Sequence, residues 1–386
     1  MKASPRVGVA MTPQRGAASG TINLVDLGVL SKAIIVNRPS KSVKSPYVAD
    51  VLLLDGLTFG ATEKSRIRAV LEETPKKKKE IDERKARLHD LLIGLGPDLQ
   101  LAHAPSLDCA GIVVPGALVL LAPAASETAK TAYTIYLCEE IREGGTCVTV
   151  GYHPNLAERA CKAMLSAGRV ESVLSSPLDQ DEELLLTSQR TFGDSRFDFV
   201  LESSNRIVVI EVKNVVGADY TIGSVPLSRS PVGVYSVPPS STRQRSAIFP
   251  HGTNTKPGLP CISDRAIKHL HSLTNLHGTV IDGKVVECAV VFMINRADCD
   301  AFRPCHEADP LFAQMLMKAQ RKVKIVAQEL IWEASPENSF SCSAGRELPL
   351  VFDPSVDDSA IDQGVLQRVL DFNAADKSGS KKRKEY

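Results

Sequence analysis

The run Arg206-Ile-Val-Val-Ile-Glu-Val-Lys-Asn-Val-Val216 constrains this chain more than any other. Its apolar residues are mostly β-branched and fill both sets of alternating positions, the pattern of an interior strand covered on both faces. Glu211 and Lys213 lie two residues apart within it, so they project from the same side of the strand. An unpaired charge in such surroundings costs several kcal/mol, roughly, and both side chains therefore need partners.

Asp198 supplies a second carboxylate from the preceding run, Ser195-Arg-Phe-Asp-Phe-Val-Leu-Glu202. Ser203-Ser204-Asn205 reads as the hairpin turn between the two runs, which brings Asp198 near Glu211 across the ladder. Two carboxylates and a lysine at one sheet edge make a site for a hard divalent cation. Mg2+ takes a few carboxylate oxygens together with water and substrate phosphate, so the Asp198 and Glu211 carboxylates are expected within reach of one ion. The plainer alternative is a structural Glu-Lys pair. Glu83-Arg84-Lys85 has the same spacing in a charge-rich stretch, where it reads as a solvated helix face. The second copy differs in lying inside a β-branched run with an aspartate one hairpin earlier.

With 386 residues and 43% hydrophobic content, the chain is long enough for two domains and a sizeable core. Its longest apolar run, from Gly111 to Pro123, is broken by Pro115 and Gly116, so no membrane span is expected. Nine cysteines with no Cys-x-x-Cys pair, and no hydrophobic signal peptide ahead of them, fit a reducing compartment. Cys299, Cys305 and His306 lack zinc spacing and read as structural or incidental. A net charge of +1 excludes a uniformly basic nucleic-acid binder. Residues 203–324, however, hold fifteen Lys/Arg against nine Asp/Glu, which allows a basic surface around the Asp198–Glu211 region.

Residues 1–28 carry no acid before Asp26 and read as a disordered tail or an organellar presequence. Residues 29–138 hold short strands at 33–36, 47–54, 111–114, 117–121 and 134–137, with Gly and Pro turns, the pattern of a small β-barrel of the kind that binds single-stranded nucleic acid. A charged stretch near 62–95 interrupts them and reads as a solvent-facing helical insertion. From 139 to 335 helices alternate with buried strands in a layered α/β domain: a helix over 153–165, one from the N-cap Ser263 to 273, a strand over 285–294, a helix from Asp309 through Lys322, and a final strand over 323–332. The Pro/Ser/Thr-rich segment 217–261 reads equally as a loop folding over a phosphate backbone and as a disordered insertion. Residues 336–386 form a C-terminal tail whose basic end, Lys381-Lys-Arg-Lys384, is either a nuclear import signal or a solvated end. The two ends thus argue for different compartments.

Several segments, taken in order, resemble the sugar fermentation stimulation protein family: Ser195-Arg-Phe-Asp-Phe-Val-Leu-Glu202, Ile210-Glu-Val-Lys-Asn-Val215, Asp264-Arg-Ala-Ile-Lys-His-Leu270, Asn295-Arg-Ala-Asp298 within Phe292–Phe302, and Asp309-Pro310. The resemblance covers roughly residues 140–335, about half the chain. It implies a barrel of the oligonucleotide-binding type ahead of an α/β domain with a restriction-endonuclease-like mixed sheet flanked by helices. It also implies DNA as partner, Mg2+ as cofactor, Asp198, Glu211 and Lys213 as a nuclease-like triad, and Arg265 and Lys268 on the following helix facing the same cleft. Two departures stand out. Pro105-Ser-Leu-Asp108 replaces the family's Pro-Asn-Thr-Gly, and a long insertion ending Gly258-Leu-Pro-Cys261 replaces its Phe-Pro-Asp.

Two functions follow. One is a metal-dependent phosphodiesterase acting on DNA, in which Asp198 and Glu211 hold Mg2+ and Lys213 positions a water or offsets developing charge. The other is a DNA-binding or regulatory protein that keeps the fold without turnover. Glu158, on the preceding helix, is the candidate third metal ligand. A sugar enzyme finds no support, because neither a glycosidase carboxylate pair nor a phosphate-binding glycine loop is visible.

Overall fold

The structure, a computed structural model, describes residues 9–11, 22–54, a scatter of positions between 66 and 94, 99–106, 111–126, 128–141, 147–179, 181–220, 245–251 and 258–382. Its first part holds β1 (Val9–Met11), β2 (Asn23–Val29), β3 (Ser31–Asn37), β4 (Val48–Leu53), β5 (Gln100–His103), β6 (Leu118–Pro123), β7 (Tyr133–Ile141) and β8 (Cys147–Gly151). Then come α1 (Asn155–Ser166), β9 (Leu184–Phe192), β10 (Ser195–Glu202), β11 (Arg206–Val215), β12 (Ala218–Tyr220), β13 (Arg245–Phe249) and α2 (Asp264–Leu276). The chain continues through β14 (Val280–Ile281), β15 (Lys284–Ile294), β16 (Ala301–Pro304), α3 (Pro310–Ala319), β17 (Lys324–Ala334), β18 (Ser339–Glu347) and α4 (Gln363–Lys382).

Strands β5, β4, β3, β6 and β7 pair in that order, and β7 returns to β5 through Ala102 opposite Tyr133, so five strands close a barrel. Closure removes the open edges that such short strands would otherwise leave. Ala33, Ile35, Val51, Val119 and Ile135 share one buried cluster within it. Gly111–Val114, expected as a strand, is instead a turn. Val113 is still buried, and Gly116 leaves the turn at a φ of 92°, open to glycine and strained for a β-branched residue. The charged insertion is helical at its described positions apart from Glu73, as expected, but it does not face solvent alone: Ile67, Leu88 and Leu92 are buried against Ile34, Val36 and Leu52 of the barrel.

The second sheet is mixed, in the order β1-β9-β10-β11-β15-β17-β18-β2, with β14 paired to β15. Its centre, β11–β15–β17, is parallel and its flanks are antiparallel. Parallel strands are covered on both faces, which accounts for the unbroken apolar runs at 207–210 and 288–294. On one face Leu156, Ala160 and Met164 of α1 pack against Val208, Ile210 and Val212. On the other, Ala266, Leu270 and Leu273 of α2 pack with α3 and α4 over Ile207, Val209 and Val290.

Three expectations need correction. Asn23–Val29, assigned to a tail or presequence, is an edge strand paired with β18, and its Leu24 and Val25 are buried with Phe340 and Cys342. The strand over 323–332 is not the last, because β18 and α4 follow within the stretch assigned to a tail, and Leu366 and Val369 of α4 join the core. Ser263 occupies the N-cap of α2 but its side chain makes no capping bond. Asp309 fastens both helix starts instead: Oδ2 accepts from Ile262 N (2.8 Å) and Ser263 N (3.1 Å), and Oδ1 accepts from Phe312 N (3.0 Å). Within the 217–261 insertion, β12 and β13 form a small sheet with β16, while 221–244 lies outside the described residues. Among the described residues no helix is long and apolar enough to cross a membrane.

The Asn295-Arg-Ala-Asp298 segment ties the barrel to the mixed sheet. Arg296, fully buried, donates to Val216 O (2.9 Å), to both oxygens of Asp298 (2.6 and 2.8 Å) and to Glu140 Oε2 on β7 (2.7 Å). Arg245 donates to the same two acids. Asn295 Oδ1 accepts from Trp332 Nε1 at 3.1 Å, against Gly151 at the end of β8. A Cβ at that glycine would stand 2.2 Å from Asn295 Oδ1, so residue 151 has no room for a side chain.

Candidate functional site

Strands β10 and β11 pair from Glu202 opposite Ile207 to Phe199 opposite Ile210, where their regular ladder stops. At that point a side chain takes over: Asp198 Oδ2 accepts from Val212 N–H at 2.8 Å. The neighbouring strand is irregular at the same level. Strands β9 and β10 pair at Phe197 with Arg190 and at Phe199 with Ser188, and between them Gln189 adopts a φ of 57°. A non-glycine residue in the left-handed region carries strain of order 1–3 kcal/mol, and such residues cluster at functional sites. Gln189 Nε2 donates to Asp198 Oδ1 and to Glu158 Oε2, both at 3.3 Å, and its Oε1 accepts from Arg196 Nε at 2.6 Å.

Burial pushes the Asp198 carboxyl up to about 7; the charges of Glu211 and Glu158 add to this, against the Val212 hydrogen bond and Lys213. Asp198 and Glu211 are thus close enough to repel each other. Asp198 leans toward α1 through Gln189 and Glu158, and Glu211 leans toward α2. Glu211 is buried, and two donors meet on its Oε1: Lys213 Nζ and His269 Nδ1, each at 2.5 Å. Because a carboxylate oxygen can only accept, the imidazole Nδ1 donates. Burial raises the Glu211 carboxyl, but the Lys213 ammonium and the His269 bond outweigh it and leave the group below its ordinary value. Glu211 Oε2 is buried with no hydrogen-bond partner among the described residues.

The structure places Glu211 and Lys213 in direct contact on the α2 side, whereas the hydrogen-bond partners of Asp198 are Val212 N–H and Gln189, toward α1; the Glu211 charge still reaches Asp198. Glu158 is exposed on α1 and reaches Asp198 only through Gln189. Arg265 is exposed on α2. Lys268 does not face the cleft: it is buried and ion-paired with Asp194 in the β9–β10 turn. Among the described residues no group of three or more His, Cys, Asp or Glu gathers around one ion position. Cys299 and Cys305 are buried free thiols pushed up to about 12 by that burial, and His306 lies 3.3 Å from Glu307. Sequence reading missed His269, Gln189 and Asp194. Of these His269 left a signal, being three residues after Ala266 and four before Leu273 on the buried stripe of α2.

A family model described as the sugar fermentation stimulation protein RE domain matches residues 260–335. A sugar fermentation stimulation protein homolog from Syntrophotalea carbinolica is 26% identical over 260 residues, covering 66% of this chain and 87% of that protein. The homolog from Thioalkalivibrio sulfidiphilus is 28% identical over 230 residues, covering 58% and 76%. Among solved structures, SfsA from Pyrococcus furiosus in complex with Ca2+ superimposes with a TM-score of 0.50 at 16% identity, over 86% of this chain and 99% of that one. That likeness is one of fold: a closed barrel followed by a mixed α/β sheet. The domain match and these relatives agree with the ordered motifs on β10, β11, α2 and α3: the chain is similar to proteins of the sugar fermentation stimulation family, most directly over residues 260–335.

Proposed function

We propose that this chain binds DNA and acts on its phosphodiester backbone through a divalent cation, Mg2+, held by Asp198 and Glu211. The observation that carries this reading is Glu211 Oε2, a buried carboxylate oxygen with no donor among the described residues, whose charge is felt at a second acid, Asp198. Leaving such an atom unsatisfied costs about 1–3 kcal/mol or more, and a cation would remove that cost. The donors are hard oxygens, which suit Mg2+ or Ca2+ over softer metals. The Pyrococcus furiosus protein in complex with Ca2+ supports the class of ion.

When bound, the cation would polarise a phosphate oxygen and lower the pKa of a coordinated water. Asp198 and Glu211 would hold it, with Glu158 outward beyond Gln189. Lys213, fixed on Glu211 Oε1, brings an ammonium to where charge develops on the phosphate. Arg196 beside Gln189 and Arg265 one turn before His269 are exposed cations available to DNA phosphates. The test is cleavage of labelled single- and double-stranded DNA in about 5 to 10 mM Mg2+, comparing wild type with Glu211→Gln, which should be inactive. Equal cleavage by both would defeat the assignment.

A second reading, DNA binding without turnover, is favoured by the lack of a three-ligand group among the described residues and by the exposed position of Glu158. Under it no Mg2+-dependent cleavage appears, and Glu211→Gln leaves DNA affinity unchanged or slightly tighter.

A further inference from the structure

We infer that His269 is a positioning residue of this site: by holding Oε1 of Glu211 from α2, it presents Oε2 to the cation and sets how tightly the ion is held. This rests on the cation reading above. A carboxylate oxygen has two lone-pair sites, and on Oε1 both are taken, by Lys213 Nζ and His269 Nδ1. The bare oxygen is therefore always Oε2.

The two donors are not equivalent. Lys213 leaves the same strand as Glu211 and moves with it. His269 reaches in from a different element, so it fixes the carboxylate relative to the rest of the domain. The terminal torsion of a glutamate is broad, and without an outside anchor either oxygen could turn toward the ion.

His269 is itself held. Its ring lies 5.7 Å from that of Phe197, tilted by 58°. The ring lines a cavity of about 10 Å³ with Glu211, Lys213, Leu270, Phe292 and Phe312, room for about one water. The helix carrying it is fastened to the β9–β10 turn by the Ser272–Ser195 hydroxyl contact (3.0 Å) and the Lys268–Asp194 pair. Because Nδ1 is committed to Glu211, His269 acts through the ligand. Groups that hydrogen-bond metal ligands contribute about 10- to 100-fold in metal affinity.

The experiment is calorimetric titration of the full chain with Ca2+ and, separately, Mg2+, for wild type, Glu211→Gln, His269→Ala and His269→Asn. His269→Ala should weaken cation affinity about tenfold or more, while His269→Asn, whose amide N–H starts from nearly the same place as Nδ1, should recover it to within about threefold. A purely structural role would move the melting temperature and leave cation affinity alone. Should His269→Ala not fold, His269→Gln, whose longer arm misplaces the donor, takes its place with the same expected loss. Wild-type affinity in the Ala or Gln variant overturns the inference while leaving the cation reading intact, provided Glu211→Gln loses binding. A wild-type chain that takes up neither ion overturns both.

Discussion

Asp198 should cost the folded protein stability when ionised, and the isosteric Asp198→Asn should recover it. The carboxyl is raised from an ordinary 3.8 to about 7 by burial and by the Glu211 and Glu158 charges. The folded state therefore keeps a proton that the unfolded chain has lost, so this group's contribution weakens as pH rises from about 4 and levels off above about 7. At about 1.4 kcal/mol per unit, the shift corresponds to a ceiling of about 4 kcal/mol at pH 8, and about 2 to 4 kcal/mol once the partial solvent access of the side chain is allowed for. Asparagine keeps an oxygen for Val212 N–H and carries no charge. Urea unfolding in the presence of a chelator, followed by the single tryptophan, Trp332, would report on the mixed sheet, where that residue is buried. Asp198→Asn should be more stable than wild type at pH 8, with an advantage about 2 kcal/mol larger than at pH 5. Adding Mg2+ at pH 8 should narrow the gap by stabilising wild type alone. An Asp198→Asn protein less stable than wild type at pH 8, or an advantage equal at both pH values, would refute the reasoning.

Three further outcomes follow from the geometry. Arg296→Ala leaves Asp298 and Glu140 to Arg245 and removes the bond to Val216 O, and should destabilise by about 2 to 4 kcal/mol in urea unfolding. Gly151→Ala drives a methyl into Asn295 and Trp332 and should cost about 1 to 3 kcal/mol, with a change in Trp332 fluorescence in the folded protein. Arg265→Ala should reduce the salt slope of DNA affinity by about one, the share of one phosphate contact, whereas Lys268→Ala should leave the slope alone and lower stability, being committed to Asp194.

What the sequence shows of this site follows the period of each element. Glu211 and Lys213 must share a face because a strand alternates, and they do so in contact. A short polar turn sets the hairpin register, and with it the nearness of Asp198 to Glu211. The break in the ladder at Phe199, and the left-handed Gln189 beside it, depend on β9 and α1, and no local pattern announces them. Strand β2 is missed for a related reason: its partner β18 is distant in sequence, and the short apolar run it offers cannot be told from tail without that partner. Strand β18 itself returns on β17 across residues 335–338, but its alternating small and polar residues give little strand signal.

Helix α2 shows how close a correct reading comes to the wrong residue. Arg265 and Lys268 are one turn apart, so spacing alone puts them on one face and makes them a phosphate pair. The β9–β10 turn reaches over the helix and takes Lys268 through Asp194, leaving Arg265 by itself. The neighbouring position carries the signal. Ala266, Leu270 and Leu273 mark the buried stripe, and His269, half-buried beside it, turns its Nδ1 inward to a hydrogen-bond partner. The strand holds a buried acid with the complementary need. Each requirement is visible in the sequence, and what joins them is the topology that lays α2 across β11, which neither segment encodes locally.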